Sequence, residues 1–132
     1  TGRAGVAQLA SSDVVAVLLP VAALYLARPM PPARALADAG AAIALATDFN
    51  PGSAYCESLP VVCTLACTQL GLTPEEALVA CTVNAAYVLG LDRNRGRLAA
   101  GGDRPVFQFH SACRNLLSLS GVLLCVSPRV AR

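Results

Sequence analysis

VVAVLLP, residues 14–20, and AAIALATD, residues 41–48, flank MPPARALADAG, residues 30–40. Both flanking runs are almost wholly apolar, the mark of strands covered on both faces. Pro20 ends the first run. Between the runs, Pro31 or Pro32 suits the first turn of a helix, and Gly40 suits the position just past its end. Strand, helix, strand, with both strands apolar throughout, predicts a βαβ unit with a parallel sheet. Upstream, residues 2–11 read as the tail of another helix.

Downstream the chain turns helical. Ser58 is placed to cap a helix with Pro60 in its first turn, running through LPVVCTLACTQLG to Gly71. Thr73 and Glu76 have capping-box spacing, with Pro74 at the first helical position. Thr82 begins a further short helix, TVNAAYVLG, closed by Gly90. Beyond it, DRNRGRLAAGGDRP is rich in glycine and arginine, and NLLSLSGVLLCVSPRVAR is apolar with no clear period. No internal repeat is present.

Composition narrows the function. The chain has 132 residues, of which 55% are hydrophobic and 14% charged. That apolar content is high for a small domain, which exposes much of its surface. A membrane span is not the explanation. The run from Val14 to Ala27 is shorter than the ~20 residues a spanning helix needs and carries Pro20 in its middle. Apolar faces that meet other parts of a larger protein fit better. The ten strong bases, all arginines, form no stripe with interleaved aromatics, so nucleic acid is not expected as a partner. Of the six cysteines, Cys63, Cys67 and Cys81 fall within apolar helical patterns. Free cysteine behaves there as a small hydrophobe, so reduced core thiols in a cytoplasmic protein are expected. Cys63 and Cys67 share a helix face, but no further ligand at zinc spacing accompanies them.

The second strand ends on a carboxylate, Asp48, and enters the loop FNPGS. In parallel α/β folds ligands gather at the C-terminal ends of strands. A carboxylate there can bind a metal, act as a base or hold a cation. Asn50 offers an amide, Gly52 permits close backbone approach, Ser53 adds a hydroxyl, and Pro51 stiffens the turn. Such a set suits a small polar molecule bearing a carboxylate. Turn geometry alone also favours these residue types, so spacing leaves both readings open. His110 reads as a solvated side chain.

ALATDFNPGS followed by LACTQLGLTPEEALVACTVNAAYVLGL resembles the imidazolonepropionase family of the amidohydrolase superfamily. VVAVLLP is similar to its penultimate barrel strand, and the NPGSAYC form resembles the animal branch. The resemblance runs from about Gly5 to Leu98. It implies a TIM-like (β/α)8 barrel hydrolase using zinc or iron, flanked by a small β-domain. The implied reaction converts 4-imidazolone-5-propanoate and water to N-formimidoyl-L-glutamate, in histidine degradation. It also implies that Asp48 ends the last barrel strand, binds the metal and takes a proton from the attacking water. Asn50, Gly52 and Ser53 would contact substrate. The intact enzyme would be a homodimer.

The same resemblance implies metal-binding histidines, an H-x-H pair among them, that do not occur in this sequence. Residues 1–98 are therefore read as the C-terminal portion of such a barrel, its last two strands and their helices. Residues 99–132 are read as a divergent tail in place of the flanking β-domain strands. On this reading the isolated chain is inactive. Two alternatives remain: another cyclic amidase of the superfamily, or a truncated, non-catalytic isoform that acts by binding.

Overall fold

The computed structural model describes residues 2–97. The readings placed on the tail from residue 99, His110 included, lie outside the described residues. The elements run α1 (Arg3–Ala10), β1 (Ala16–Leu18), α2 (Pro20–Tyr25), α3 (Ala33–Asp38), β2 (Ile43–Leu45), α4 (Leu59–Gln69), α5 (Pro74–Cys81) and α6 (Val83–Val88). β1 and β2 pair in parallel, with Ala16 opposite Ile43, Val17 opposite Ala44 and Leu18 opposite Leu45. The expected parallel α/β unit is present. Among the described residues, no helix is long and apolar enough to cross a membrane.

The strands are shorter than the apolar runs that announce them, and among the described residues only one is covered on both faces. All three residues of β2 are buried. In β1, by contrast, Val17 is 44% exposed, and Val14 just before it is exposed too. The cause lies in the packing: α3, α5 and α6 all lie against β2, whereas β1 has β2 as its main neighbour. Hydrophobicity records that a residue can be buried, not that something covers it.

Pro20 does more than end a strand. It is the first residue of α2, where a missing N–H costs nothing because the first turn has no acceptors for it. Nothing in the apolar run predicts a helix at 20–25. Its end carries no glycine signal: Ala27 takes the left-handed conformation (φ 49°) that usually selects glycine. The Arg28 N–H donates to the Ala23 carbonyl (2.8 Å) and the Ala27 N–H to that of Leu24 (3.1 Å), a complete Schellman closure. Gly40 and Gly90 close α3 and α6 in the same way, as expected.

The core gathers Leu36, Leu45, Val62 and a set of alanines, among them Ala54, Ala66 and Ala77. Each fully buried large side chain contributes roughly 1.5–3 kcal/mol. The alanines let α4 and α5 approach closely. Ser58 does cap α4, but without a side-chain hydrogen bond. Thr82 precedes α6, and its hydroxyl donates back to the Leu78 carbonyl (2.7 Å).

The capping box at α5 forms as read. The Thr73 hydroxyl accepts from the Glu76 N–H, and the Glu76 carboxylate accepts from the Thr73 N–H. The same carboxylate takes a two-pronged bond from Arg34 of α3, at 2.8 and 3.0 Å, while the Arg34 Nε reaches Asp38 at 2.8 Å. The Arg34 guanidinium, followed by the Thr73 N–H, holds the Glu76 carboxyl below its ordinary value. A carboxylate lowered in the folded state stabilises above its unfolded pKa and loses that contribution as pH falls through the folded value. Glu76→Gln, which keeps the cap acceptor, should therefore be slightly less stable than wild type at neutral pH. The two denaturation midpoints should converge below about pH 4. The difference is small, because Arg34 and Glu76 side chains are 41% and 37% exposed. Paired denaturant titrations across pH check it.

Candidate active site

The loop from residue 46 to residue 58 leaves β2 and enters α4. The Ala46 N–H still donates to Leu18 (3.3 Å), so the parallel ladder persists one residue past β2. The chain then turns at Asp48, whose φ of 51° lies in the left-handed region. Asp tolerates this better than most residues, but the conformation still costs free energy, on the order of 1 kcal/mol. The exposed Asp48 carboxylate has no hydrogen bond or ion pair among the described residues; only its backbone carbonyl accepts, from Asn50 Nδ2 (2.7 Å).

Asn50 is the hub of the loop. Its Oδ1 accepts from the N–H groups of Gly52 (2.9 Å) and Ser53 (2.8 Å). The Ser53 hydroxyl lies 2.9 Å from Asn50 Nδ2 and 3.1 Å from Oδ1. Asn50 also pairs with Ala54 as an antiparallel bridge, and Ala54 is fully buried. This pairing brings the flanking Phe49 and Tyr55 rings to 5.8 Å, tilted at 43°. Both rings are exposed. The sequence reading does not single them out, although five residues carrying Pro-Gly between two aromatics are a hairpin signal.

Gly52 is informative by what it does not need. Its φ lies outside the left-handed region, and an added Cβ would meet only Asn50 Oδ1, at an ordinary 3.4 Å. Turn geometry therefore gives no reason for glycine at this position.

Asn50, Gly52 and Ser53 thus share one loop beyond β2, and Asp48, read from the sequence as the last residue of the strand, lies in that loop too, because the ladder stops short of it. Asn84 was not anticipated. Its side-chain amide donates to the Ile43 carbonyl (2.7 Å), tying α6 to β2. No residue of the loop lines the apolar hollow of about 320 Å³ formed by Val17, Leu18, Ala22 and their neighbours.

Asn50→Ala would remove the acceptor shared by Gly52 and Ser53. Water reaches much of this loop, so a stability loss of about 1–2 kcal/mol is expected. The sharper consequence is local: hydrogen exchange at the Gly52 and Ser53 amides should accelerate to near the open-chain rate while the core stays protected. Unchanged protection at both amides would show that the hub is not what orders the loop.

The Asp48 carboxylate has the chemistry of a metal ligand and supplies one donor. Among the described residues, no group of three or more His, Cys, Asp or Glu could hold a metal ion. A zinc site needs at least three protein ligands, so the described residues do not complete one.

The model of the amidohydrolase family matches residues 3–103. The chain belongs to the amidohydrolase family. As a member of that family it is similar to the imidazolonepropionase of Rubrobacter xylanophilus, at 65% identity over 101 residues, 76% of this chain. The Deinococcus deserti imidazolonepropionase is 51% identical over 112 residues, 85% of this chain. A bovine protein named probable imidazolonepropionase is 46% identical over 97 residues, 74% of this chain. The chain spans about a quarter of each relative's length: 24%, 28% and 22% respectively. The resemblance drawn from TDFNPGS and TPEEAL is borne out.

Proposed function

We propose that the protein carrying this chain is a cytoplasmic, metal-dependent cyclic-amide hydrolase. It would convert 4-imidazolone-5-propanoate and water to N-formimidoyl-L-glutamate. Residues 1–98 would be the C-terminal portion of its TIM-like barrel, with β1 and β2 as the last two strands. The observation that carries this reading is the 65% identity to an imidazolonepropionase. A matched stretch of 101 residues within 132 takes in the whole loop around Asp48.

Asp48 would be one metal ligand, with the remaining ligands contributed from beyond the described residues. A metal held there, zinc or iron, would polarise the amide carbonyl and acidify bound water. The carboxylate of Asp48, which has no partner among the described residues, is suited to accept the proton that water gives up on attack. That proton then serves the ring nitrogen as the C–N bond breaks. Asn50, Gly52 and Ser53 would form the recognition segment, with Asn50 also holding its shape. The Gly52 position supports this, since a ligand close to the backbone would explain a glycine that the turn does not require.

The test is turnover by the full protein of 4-imidazolone-5-propanoate, followed by product formation. Hydrolysis of another cyclic amide at a higher kcat/KM would favour the wider superfamily reading instead.

A further inference from the structure

Two thiols outside the loop meet across a helix pair. Cys63 lies on the second turn of α4 and Cys81 is the last residue of α5. Their sulfurs are 3.4 Å apart and not bonded. A disulfide needs about 2.05 Å, so the sulfurs must approach by a little over 1 Å. Cys67 lies one turn further along α4 and is close enough to interact electrostatically with both.

We propose that Cys63 and Cys81 form a peroxide-oxidisable dithiol that closes into a reversible disulfide between α4 and α5. The chemistry is asymmetric. Either sulfur can donate in this contact; with Cys81 as donor, the Cys63 pKa comes down to about 7, within reach of the thiolate at neutral pH. The same contact, followed by burial, pushes the Cys81 thiol up, so Cys81 holds the proton. Burial likewise pushes Cys67 up, which leaves it the poorer nucleophile. Cys63 is buried, whereas Cys81 and Cys67 beside it are partly exposed, and it is past them that peroxide would reach the pair.

Hydrogen peroxide supplies the oxidant. The Cys63 thiolate attacks one oxygen, the O–O bond breaks, and hydroxide leaves and takes up a proton to become water. Cys63 is then a sulfenic acid. Its negative charge is gone, so Cys81 is no longer held protonated by it. The Cys81 sulfur attacks the Cys63 sulfur, the S–O bond breaks, and the Cys81 proton leaves with the hydroxyl as a second water. Two thiols and one peroxide give one disulfide and two waters. A dithiol reductant reverses the bond by exchange.

The experiment is peroxide titration of the folded full protein, followed by alkylation of remaining thiols and peptide mapping. The expected result is a peptide pair joined through Cys63 and Cys81, lighter by two hydrogens and separated by dithiothreitol. Cys67→Ser should leave that link intact. Cys81→Ser should leave Cys63 trapped as a sulfenic acid that a dimedone probe captures. Cys63→Ser should leave Cys81 fully alkylatable. Cys63 and Cys81 both remaining alkylatable at peroxide doses that oxidise other thiols would overturn the proposal. So would a link from Cys63 to Cys67. The wild-type map decides by itself if a variant does not fold.

Discussion

Asp48→Asn in the full protein should reduce turnover of 4-imidazolone-5-propanoate by about 10³-fold or more, equivalent to about 4 kcal/mol of transition-state stabilisation. The substitution is chosen for its backbone. Residue 48 sits at φ 51°, where asparagine is as comfortable as aspartate. The loop should therefore keep its shape while the negative charge disappears. With the charge go the metal ligand and the proton acceptor that Asp48 is proposed to supply. Metal content of the purified protein should fall in parallel, while the metal-free forms of variant and wild type should melt alike. Asp48→Gly makes the complementary point: glycine relieves the left-handed strain, so the variant should fold at least as well and be equally inactive. Turnover within tenfold of wild type in Asp48→Asn would sink the assignment of Asp48 to the chemistry.

Leu45→Ala should cost about 2–5 kcal/mol of folding stability, the usual range for truncating a buried leucine. Leu45 is 2% exposed, at the end of the strand on which three helices pack. Little space around it can collapse, because a strand fixed by its ladder cannot move toward the void. The residue is also three positions from Asp48, so loss of folding and loss of activity should appear together. Val17→Ala is the internal comparison. In the 132-residue chain Val17 stands on the partner strand but is 44% exposed, and its truncation there should change stability by less than about 1 kcal/mol. Denaturant midpoints at constant slope measure both. Similar costs at the two positions would mean that β1 is covered as fully as β2.

The contrast between Leu45 and Val17 also shows what could be read from residue order alone. Both strands, the capping box at Thr73 and Glu76, and the helix ends at Gly40 and Gly90 were legible, because each rests on residues close in sequence. Placing Asn50, Gly52 and Ser53 on one loop needed only the apolar run that ends before Asp48; that Asp48 itself leaves the strand was not legible, because the run stays apolar past Leu45, the last strand residue. The exposure of β1 was not legible, since it depends on which elements pack there. The turn at Ala27 was hidden because alanine carries no signal for the left-handed region. The hub at Asn50 depends on rotamer and backbone together, and the Cys63–Cys81 contact joins positions 18 residues apart. A metal site is harder still, since its ligands converge from separate elements.

Asparagines in turns age. The backbone nitrogen of the next residue attacks the side-chain amide carbonyl, ammonia leaves, and the ring that forms reopens to aspartate or its β-linked isomer. At Asn50 that nitrogen belongs to Pro51, which is tertiary and has no hydrogen to lose. The one amide on which the loop's shape depends is thereby shielded from the slow reaction that most threatens its kind. Had the same turn been built on Asn-Gly, its organiser would have been its shortest-lived part.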